Sequence, residues 1–394
     1  MATSVDVIIL GAGAAGMMAA IEAGRRGRRV LVLDHAKAPG EKIRISGGGR
    51  CNFTNLGTTA ANFLSDNPHF AKSALARYTP RDFLALVERH GIAWHEKTLG
   101  QLFCDDSAKD IIRMLLAELE AAGANLRLDT TIESVEKDVS GFRVASSVGT
   151  FVCETLIVAT GGKSIPKMGA TGFAYRIAEQ FSLPLVETRP GLVPLTLPDP
   201  LKDALAPLAG VGVDVQARAG RTRFDEAMLF THRGLSGPAI LQISSYWREG
   251  ETIEIAFAPG TDLAGRLKAA KQSQGRQALR TVLGDHLPKR LAQYLAGQTP
   301  LGERSLADLS DKAIDGFVAS LSAWPIRPAG SEGYRTAEVT LGGVDTRALD
   351  SRTMMARSVP GLFFIGECLD VTGWLGGYNF QWAWASGFSA GQAA

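Results

Sequence analysis

Three glycines and one aspartate near the start of the chain are spaced to hold a dinucleotide. Gly11-Ala-Gly-Ala-Ala-Gly16 is a G-x-G-x-x-G. In such a pattern the first glycine permits a tight turn, the second lets the backbone approach a pyrophosphate, and the third lets helix and strand pack closely. The amides that open the helix, at Ala14 and Ala15, would meet the diphosphate, where the helix dipole favours negative charge. Asp34 stands 18 residues after Gly16. A carboxylate there accepts both hydroxyls of an adenosine ribose and repels a 2′-phosphate.

A second set follows in Pro39-Gly-Glu-Lys-Ile-Arg-Ile-Ser-Gly-Gly-Gly-Arg-Cys-Asn52. Gly47, Gly48 and Gly49 expose backbone, and with Arg50 and Asn52 they suit contacts to phosphates or to a ring system. A plain flexible loop is the alternative. Cys51 is a candidate redox thiol with no partner cysteine nearby. His95 reads as a structural histidine.

The elements that must position these groups are legible from pattern. Residues 5–10 and 29–33 are apolar β-formers, and 17–24 between them read as helix, which makes β-α-β. Thr79-Pro80-Arg-Asp82 fits a capped helix start, and Ser107 opens another helix that ends at Gly123. Short β segments at 126–128, 132–137, 142–146 and 151–152 read as an inserted meander. Residues 155–158 return to a buried strand whose tip is Ala159-Thr-Gly-Gly162, over the mouth of a dinucleotide site.

Prolines at 190, 194, 198, 200 and 207 mark a change of character. Strand patterns follow at 211–217, 222–224, 227–230 and 251–257, and Ser236 reads as the N-cap of a helix containing Pro238. Residues 262–323 read as polar helices broken at Gly284, Pro288 and Gly297. The chain returns at about 333–344. Residues 360–367 then form a buried strand ending in Gly366-Glu367, followed by Asp370, by Gly376-Gly-Tyr-Asn379 and by a last helix. Phe380, Trp384 and Phe388 form a packing stripe on it.

Composition narrows the classes. The 394 residues carry 42 Lys and Arg against 40 Asp and Glu, so bulk charge draws the chain toward neither nucleic acid nor membrane. Four scattered cysteines without C-x-x-C fit reduced thiols in a cytoplasm, with no disulfide frame and no metal site. The uncharged stretch 7–21 is too short to span a bilayer. No later strand runs into another G-x-G-x-x-G, which argues against a separate nicotinamide domain.

Taken together, these motifs resemble the YhiN/BaiN-like FAD-dependent oxidoreductases, nearest the YhiN branch. The resemblance runs along essentially the whole chain. It is carried by Gly11–Gly16, Ser46-Gly-Gly-Gly-Arg-Cys-Asn-Phe-Thr-Asn55, Ala159-Thr-Gly-Gly162, Thr231-His-Arg-Gly-Leu-Ser-Gly-Pro238, Glu338-Val-Thr-Leu-Gly-Gly-Val344 and Gly366-Glu to Asn379. It implies an α/β fold: a discontinuous Rossmann-like FAD-binding domain, 1–190 with 335–394. Inserted in it are a small β-barrel-like domain, 191–260 completed by part of 325–345, and a helical domain, 261–330. It implies non-covalent FAD held by Gly11, Gly13, Ala14, Ala15, Gly16, Asp34, Lys42, Ser46, Gly47, Gly48, Gly49, Arg50, Cys51, Asn52, Val135, Ala159, Thr160, Gly161, Gly366, Glu367, Asp370, Gly376, Gly377, Tyr378 and Asn379. Glu367 and Asp370 would bond the ribityl chain, and Gly376–Asn379 would face flavin N1/O2. NAD(P)H is the expected reductant, a small organic molecule such as an unsaturated carbonyl compound the acceptor, and His232 or Tyr378 the proton donor. Two other readings stand beside this one: a flavin-binding protein without turnover, and an FAD-dependent RNA-modifying enzyme.

Overall fold

The computed structural model describes residues 2–394. Two compact units share the chain. One is 1–189 with 339–394, and the other is 190–338.

The first unit opens with β1 (Val7–Leu10), α1 (Ala14–Arg25) and β2 (Val30–Leu33). α1 is buried on nearly all sides, which explains a sequence of alanines, glycines and methionines without a polar face. α2 (Ala108–Ala121) is amphipathic; its N-cap Ser107 accepts from the Lys109 N–H at 3.2 Å. β3 (Asn125–Arg127) follows and pairs in parallel with β2. Its residues therefore belong to the main sheet, not to the meander expected from alternation alone. The meander itself is β4 (Ile132–Asp138), β5 (Gly141–Ser146) and β6 (Gly149–Cys153), joined in parallel by Thr3–Ser4. β7 (Thr155–Val158) returns beside β1, and β8 (Leu185–Gly191) leaves the unit.

The second unit is built on antiparallel pairs. β9 (Gly212–Ala219), β10 (Thr222–Phe230), β11 (Gly234–Ser236), β12 (Ile253–Phe257) and β13 (Trp324–Ile326) form one sheet with the short strands Leu195–Thr196 and Gly330–Ser331. β9 alternates buried Val213, Val215 and Ala217 with outward residues, as a one-sided sheet requires. The stretch 222–230 is one continuous strand where two had been read. α3 (Pro238–Ser244) is not capped by Ser236. Ser236 ends β11 opposite Leu229, and Gly237 at φ 86° precedes the helix without a side-chain cap. Helices from Leu263–Ser273 to Asp311–Leu321 cluster in the same unit as the strands. The breaks fall at Gly284, a C-cap, at Pro288, an N-cap, and after Gly297.

The chain re-enters the first unit through β14 (Val339–Val344), then β15 (Leu362–Phe364) and α4 (Tyr378–Gly391). The main sheet runs β15-β7-β1-β2-β3, all parallel. The inner strands are continuous buried apolar runs, as expected where helices cover both faces. α4 lies on α1 at backbone distance. A Cβ at Gly387 would sit 2.5 Å from the Ala15 carbonyl oxygen, and one at Gly391 2.6 Å from that of Ala19.

Candidate active site

The glycine turn is built to receive a pyrophosphate. The Gly11 N–H donates to the Leu33 carbonyl at 2.8 Å, which ties the turn to the neighbouring strand. A Cβ at Gly16 would overlap the Gly11 carbonyl, so packing demands glycine there. A Cβ at Gly13 would meet nothing within 4 Å. Gly13 is the extended N-cap of α1 and no side chain caps this helix, so its first-turn amides remain for an anion. Asp34 does more than await a ribose. One carboxylate oxygen accepts from the Ala12 N–H at 2.6 Å and the other from the Ala36 N–H at 2.8 Å.

Across from this turn, the strand tip at Ala159-Thr-Gly161 offers a second polar point. The Thr160 hydroxyl is buried with no partner among the described residues. A Cβ at Gly161 would meet only a Glu367 oxygen, at 3.9 Å. An open cradle, uncapped amides and an orphaned hydroxyl fit a dinucleotide of the FAD type. Val135 is buried inside the meander; its carbonyl accepts from Gln180 at 2.6 Å, and no hydrogen bond ties it to the glycine turn.

Glu367 is the centre of a charged knot. Lys42 donates to it at 2.5 Å and to the Ser164 hydroxyl at 2.6 Å. Ser164 in turn donates to Glu367 at 2.6 Å, and the Thr340 N–H at 3.1 Å. The Thr340 hydroxyl accepts from the amides of Lys163 and Ser164. Lys42 is thus engaged by protein. Ser164 and Thr340 were not among the expected site residues. Their signal was position: Ser164 lies two residues past Gly162, and Thr340 lies within the Glu338–Val344 motif.

The Gly376–Asn379 loop is clamped from several sides. Asn55 donates to the Gly376 carbonyl at 2.9 Å. Asn379 donates to the Gly373 carbonyl at 2.9 Å and accepts from the Gly373 N–H at 2.8 Å, so its amide staples its own loop. Gln381, fully buried, accepts from Thr54 at 2.7 Å and donates to the Tyr78 carbonyl at 2.8 Å. Trp384 donates to the Phe53 carbonyl at 2.8 Å and stacks between Phe83 and Phe380. The result holds the uncapped N-terminus of α4 in one place. Tyr378 is buried there, edge-on to Phe63 and Trp374. Gly366, at the end of β15, accepts from the Trp382 indole at 3.1 Å, and its N–H donates to Ser386. Asp370 is buried, and burial pushes its carboxyl above the usual range. It accepts from the Asp66 N–H at 2.7 Å and from Ser65 at 3.3 Å.

The triple-glycine loop is a left-handed run. Gly47, Gly48 and Gly49 have φ of 56°, 66° and 88°, values that a side chain would strain. Gly48 and Gly49 face open space, Ser46 donates back to the Ile43 carbonyl at 2.8 Å, and Arg50 is exposed. Cys51 is not a redox thiol of the expected kind. It is fully buried, and burial raises its thiol far above the ordinary range. Cys104, Cys153 and Cys368 are likewise buried and pushed up to about 12, so the described cysteines are inert. Asn52 lines the inner side of the loop. With its amide turned to satisfy its neighbours, it accepts from the Gly377 N–H at 3.3 Å. His232 lies in the second unit, exposed with Arg233 in the three-residue connection between β10 and β11.

The family described as HI0933-like protein Rossmann domain matches residues 5–393. The chain belongs to the HI0933-like family. Two relatives are similar to it along nearly the whole chain. The chain is 55% identical, over 98% of its length and 97% of the relative's, to the ribosomal RNA dihydrouridine synthase of Escherichia coli. It is 28% identical, with 98% of both chains covered, to the 3-dehydro-bile acid delta(4,6)-reductase of Clostridium scindens. In fold it is similar to the 3-ketosteroid-delta4-(5alpha)-dehydrogenase of Rhodococcus jostii, with TM-score 0.50, 16% identity and 99% and 97% of the two chains covered. This HI0933-like chain is an FAD-dependent oxidoreductase on a Rossmann-type FAD-binding domain. No helix among the described residues is long and apolar enough to cross a membrane.

Proposed function

We propose that the protein reduces uracil bases of ribosomal RNA to dihydrouracil, in the cytoplasm, with NAD(P)H as electron source. The observation that carries this reading is the 55% identity to a ribosomal RNA dihydrouridine synthase along nearly the full length of both chains. It raises the RNA-modifying alternative above the small-molecule acceptor favoured by the near-neutral charge. The two acceptor classes share one chemistry. Uracil C5=C6 is conjugated to the C4 carbonyl, as a 3-oxo steroid's 4,5 double bond is to its own. Reduction adds a hydride equivalent at C6 and a proton at C5, and NAD(P)H with one proton from water balances the reaction.

When bound, FAD supplies the two-electron relay between nicotinamide and base. The chain's own residues do the rest. The glycine turn and the α1 amides would hold the diphosphate, and Asp34 would orient the ribose. Lys42, Ser164 and Thr340 hold Glu367 in place, and Glu367 would bond the ribityl chain. The positive end of α4 would stabilise charge at the pyrimidine edge of the ring system; such a helix end contributes about 0.3–2 kcal/mol. A base must leave its stack to reach any such site, so the RNA substrate is single-stranded or locally opened. In this reading Tyr378 is the proton donor.

The test uses the flavin-loaded protein, NADH or NADPH, and ribosomal RNA transcribed in vitro. The expected result is the mass gain of two hydrogens on a defined uridine, and Tyr378→Phe slowing that step by about 10²-fold or more while flavin reduction persists. Flavin that is reoxidised by an enone but not by RNA would overturn the proposal in favour of a small-molecule acceptor. Flavin that NAD(P)H never bleaches would leave only the binding-protein reading.

A further inference from the structure

A net charge of +2 gives no general attraction to a polyanion, so an RNA-binding chain of this composition must concentrate its cations. One place in the first unit sets two arginines and a histidine around a single basin. A basin of about 420 Å³ opens beside the helical turn that follows β14. Its floor is Phe70, Thr346 and Leu349, all buried, and its rim carries His69, Arg347 and Arg357, all exposed.

Three observations make this more than a surface dip. The Thr346 hydroxyl is buried and has no hydrogen-bond partner among the described residues. Such a group costs about 1–3 kcal/mol unless something satisfies it. Arg357 uses only Nε, on the Leu349 carbonyl at 3.0 Å, and no carboxylate pairs with it among the described residues. Arg347 is bidentate on Asp345 through Nε and Nη2, which spends that carboxylate's charge and fixes the guanidinium plane at the rim. Of the other carboxylates, Asp350 accepts from the Arg352 and Thr353 amides and the Thr353 hydroxyl, and Asp370 accepts from the Asp66 N–H and Ser65; Asp66 and Asp370 also lie within electrostatic reach of Arg347. The open guanidinium fork of Arg357 and the remaining N–H groups of Arg347, over an unsatisfied hydroxyl, suit a tetrahedral oxyanion.

We propose that this basin binds a phosphate group, one of an RNA backbone or the 2′-phosphate of NADPH. The RNA source rests on the function proposed above; the phosphate chemistry does not. Arg357 and Arg347 would hold the outer oxygens and Thr346 would donate to the innermost.

The experiment compares the flavin-loaded parent with Arg357→Gln, Arg347→Gln and Thr346→Val. Flavin absorbance and Tm control for folding. Binding of a single-stranded uridine-containing oligonucleotide is measured across salt, and KM for NADPH is set against KM for NADH. If RNA is the source, each arginine variant binds it several-fold more weakly and the log–log salt slope falls by about 0.7. If NADPH is the source, its KM rises while that of NADH holds. In either case Thr346→Val weakens the phosphate ligand while Tm holds or rises, because an orphaned hydroxyl has been removed. A merely structural threonine would lower Tm and leave binding alone. Unchanged RNA slope together with an unchanged NADPH to NADH ratio overturns the site. A parent that binds no RNA would sink the functional reading instead, and the basin would then be judged on NADPH alone.

Discussion

Gly13 and Gly16 lie three residues apart and fail differently when a side chain is added. At Gly16 the new Cβ runs into the Gly11 carbonyl, so Gly16→Val breaks the turn in the free protein. At Gly13 it projects into space that only a ligand fills. Gly13→Val is therefore expected to fold with a Tm near that of the parent stripped of flavin, yet purify colourless. Gly16→Val is expected to lose several degrees or to aggregate. Thermal melts and the visible absorbance of the two variants decide it; a yellow Gly13→Val would remove the pyrophosphate from this turn. The same contrast explains what was legible here. A glycine motif declares itself because geometry leaves few substitutes. Glu367 gave a recognisable Gly-Glu, but nothing in the sequence showed that Lys42, 325 residues away, would be its partner. The burial of Cys51 was equally hidden, since the glycines beside it suggested exposure.

At the scale of elements, α1 and α4 depend on one another. Gly387 and Gly391 are spaced one turn apart on α4 and meet Ala15 and Ala19 on α1, so the helices touch backbone to backbone. The sequence showed the aromatic stripe Phe380, Trp384 and Phe388 but not this seam. Small residues mark a close crossing only once the partner helix is known. Gly387→Val must push α4 away from the Ala15 carbonyl. Overpacking of this kind costs about 1–3 kcal/mol. Because α4 also carries the Gly376–Asn379 loop, the variant should weaken FAD binding as well as stability. The measurement is flavin Kd by fluorescence alongside urea unfolding. A loss of stability with unchanged Kd would mean that the loop is positioned independently by Asn55 and Asn379. The misassigned strand at Asn125–Arg127 teaches a related lesson. Its alternation was real, but pairing with β2 is a long-range fact that a three-residue pattern does not encode.

For the whole molecule, the informative feature is how the first unit is interrupted. β8 and β14 pair, with the Asp345 N–H on the Pro184 carbonyl at 2.9 Å and Gly342 against Glu187, so the chain leaves and re-enters along antiparallel neighbours. Arg189 and Val339 are therefore close enough to be joined by a tight turn. Replacing 190–338 by Asn-Gly, a two-residue hairpin turn, should give a folded yellow protein. Ending the chain at 190 should give a colourless one, because β15 and α4 are lost. Absorbance and size-exclusion of the two shortened chains read this out. A yellow truncation at 190 would mean that the later segment does not complete the cofactor site. The discontinuity was visible in advance from the Gly-Glu strand so late in the chain. Its boundary at 338 was not, because the Glu338–Val344 motif straddles it.

That interruption sets a timetable during translation. The nascent chain completes β7 and α1 early, but their covering partners begin at Leu362 and Tyr378. Leu362 lies 172 residues beyond Pro190, which at about 5–20 residues per second is roughly 10–35 seconds of synthesis. Throughout that interval one edge of the parallel sheet is unpaired and one flank of a largely apolar helix is bare. The 190–338 segment is contiguous, so it can fold within the same interval and shorten the effective loop that β14 must close to find β8. The insertion thus gives the growing chain a unit that can fold while the first unit still waits for its last strand and helix.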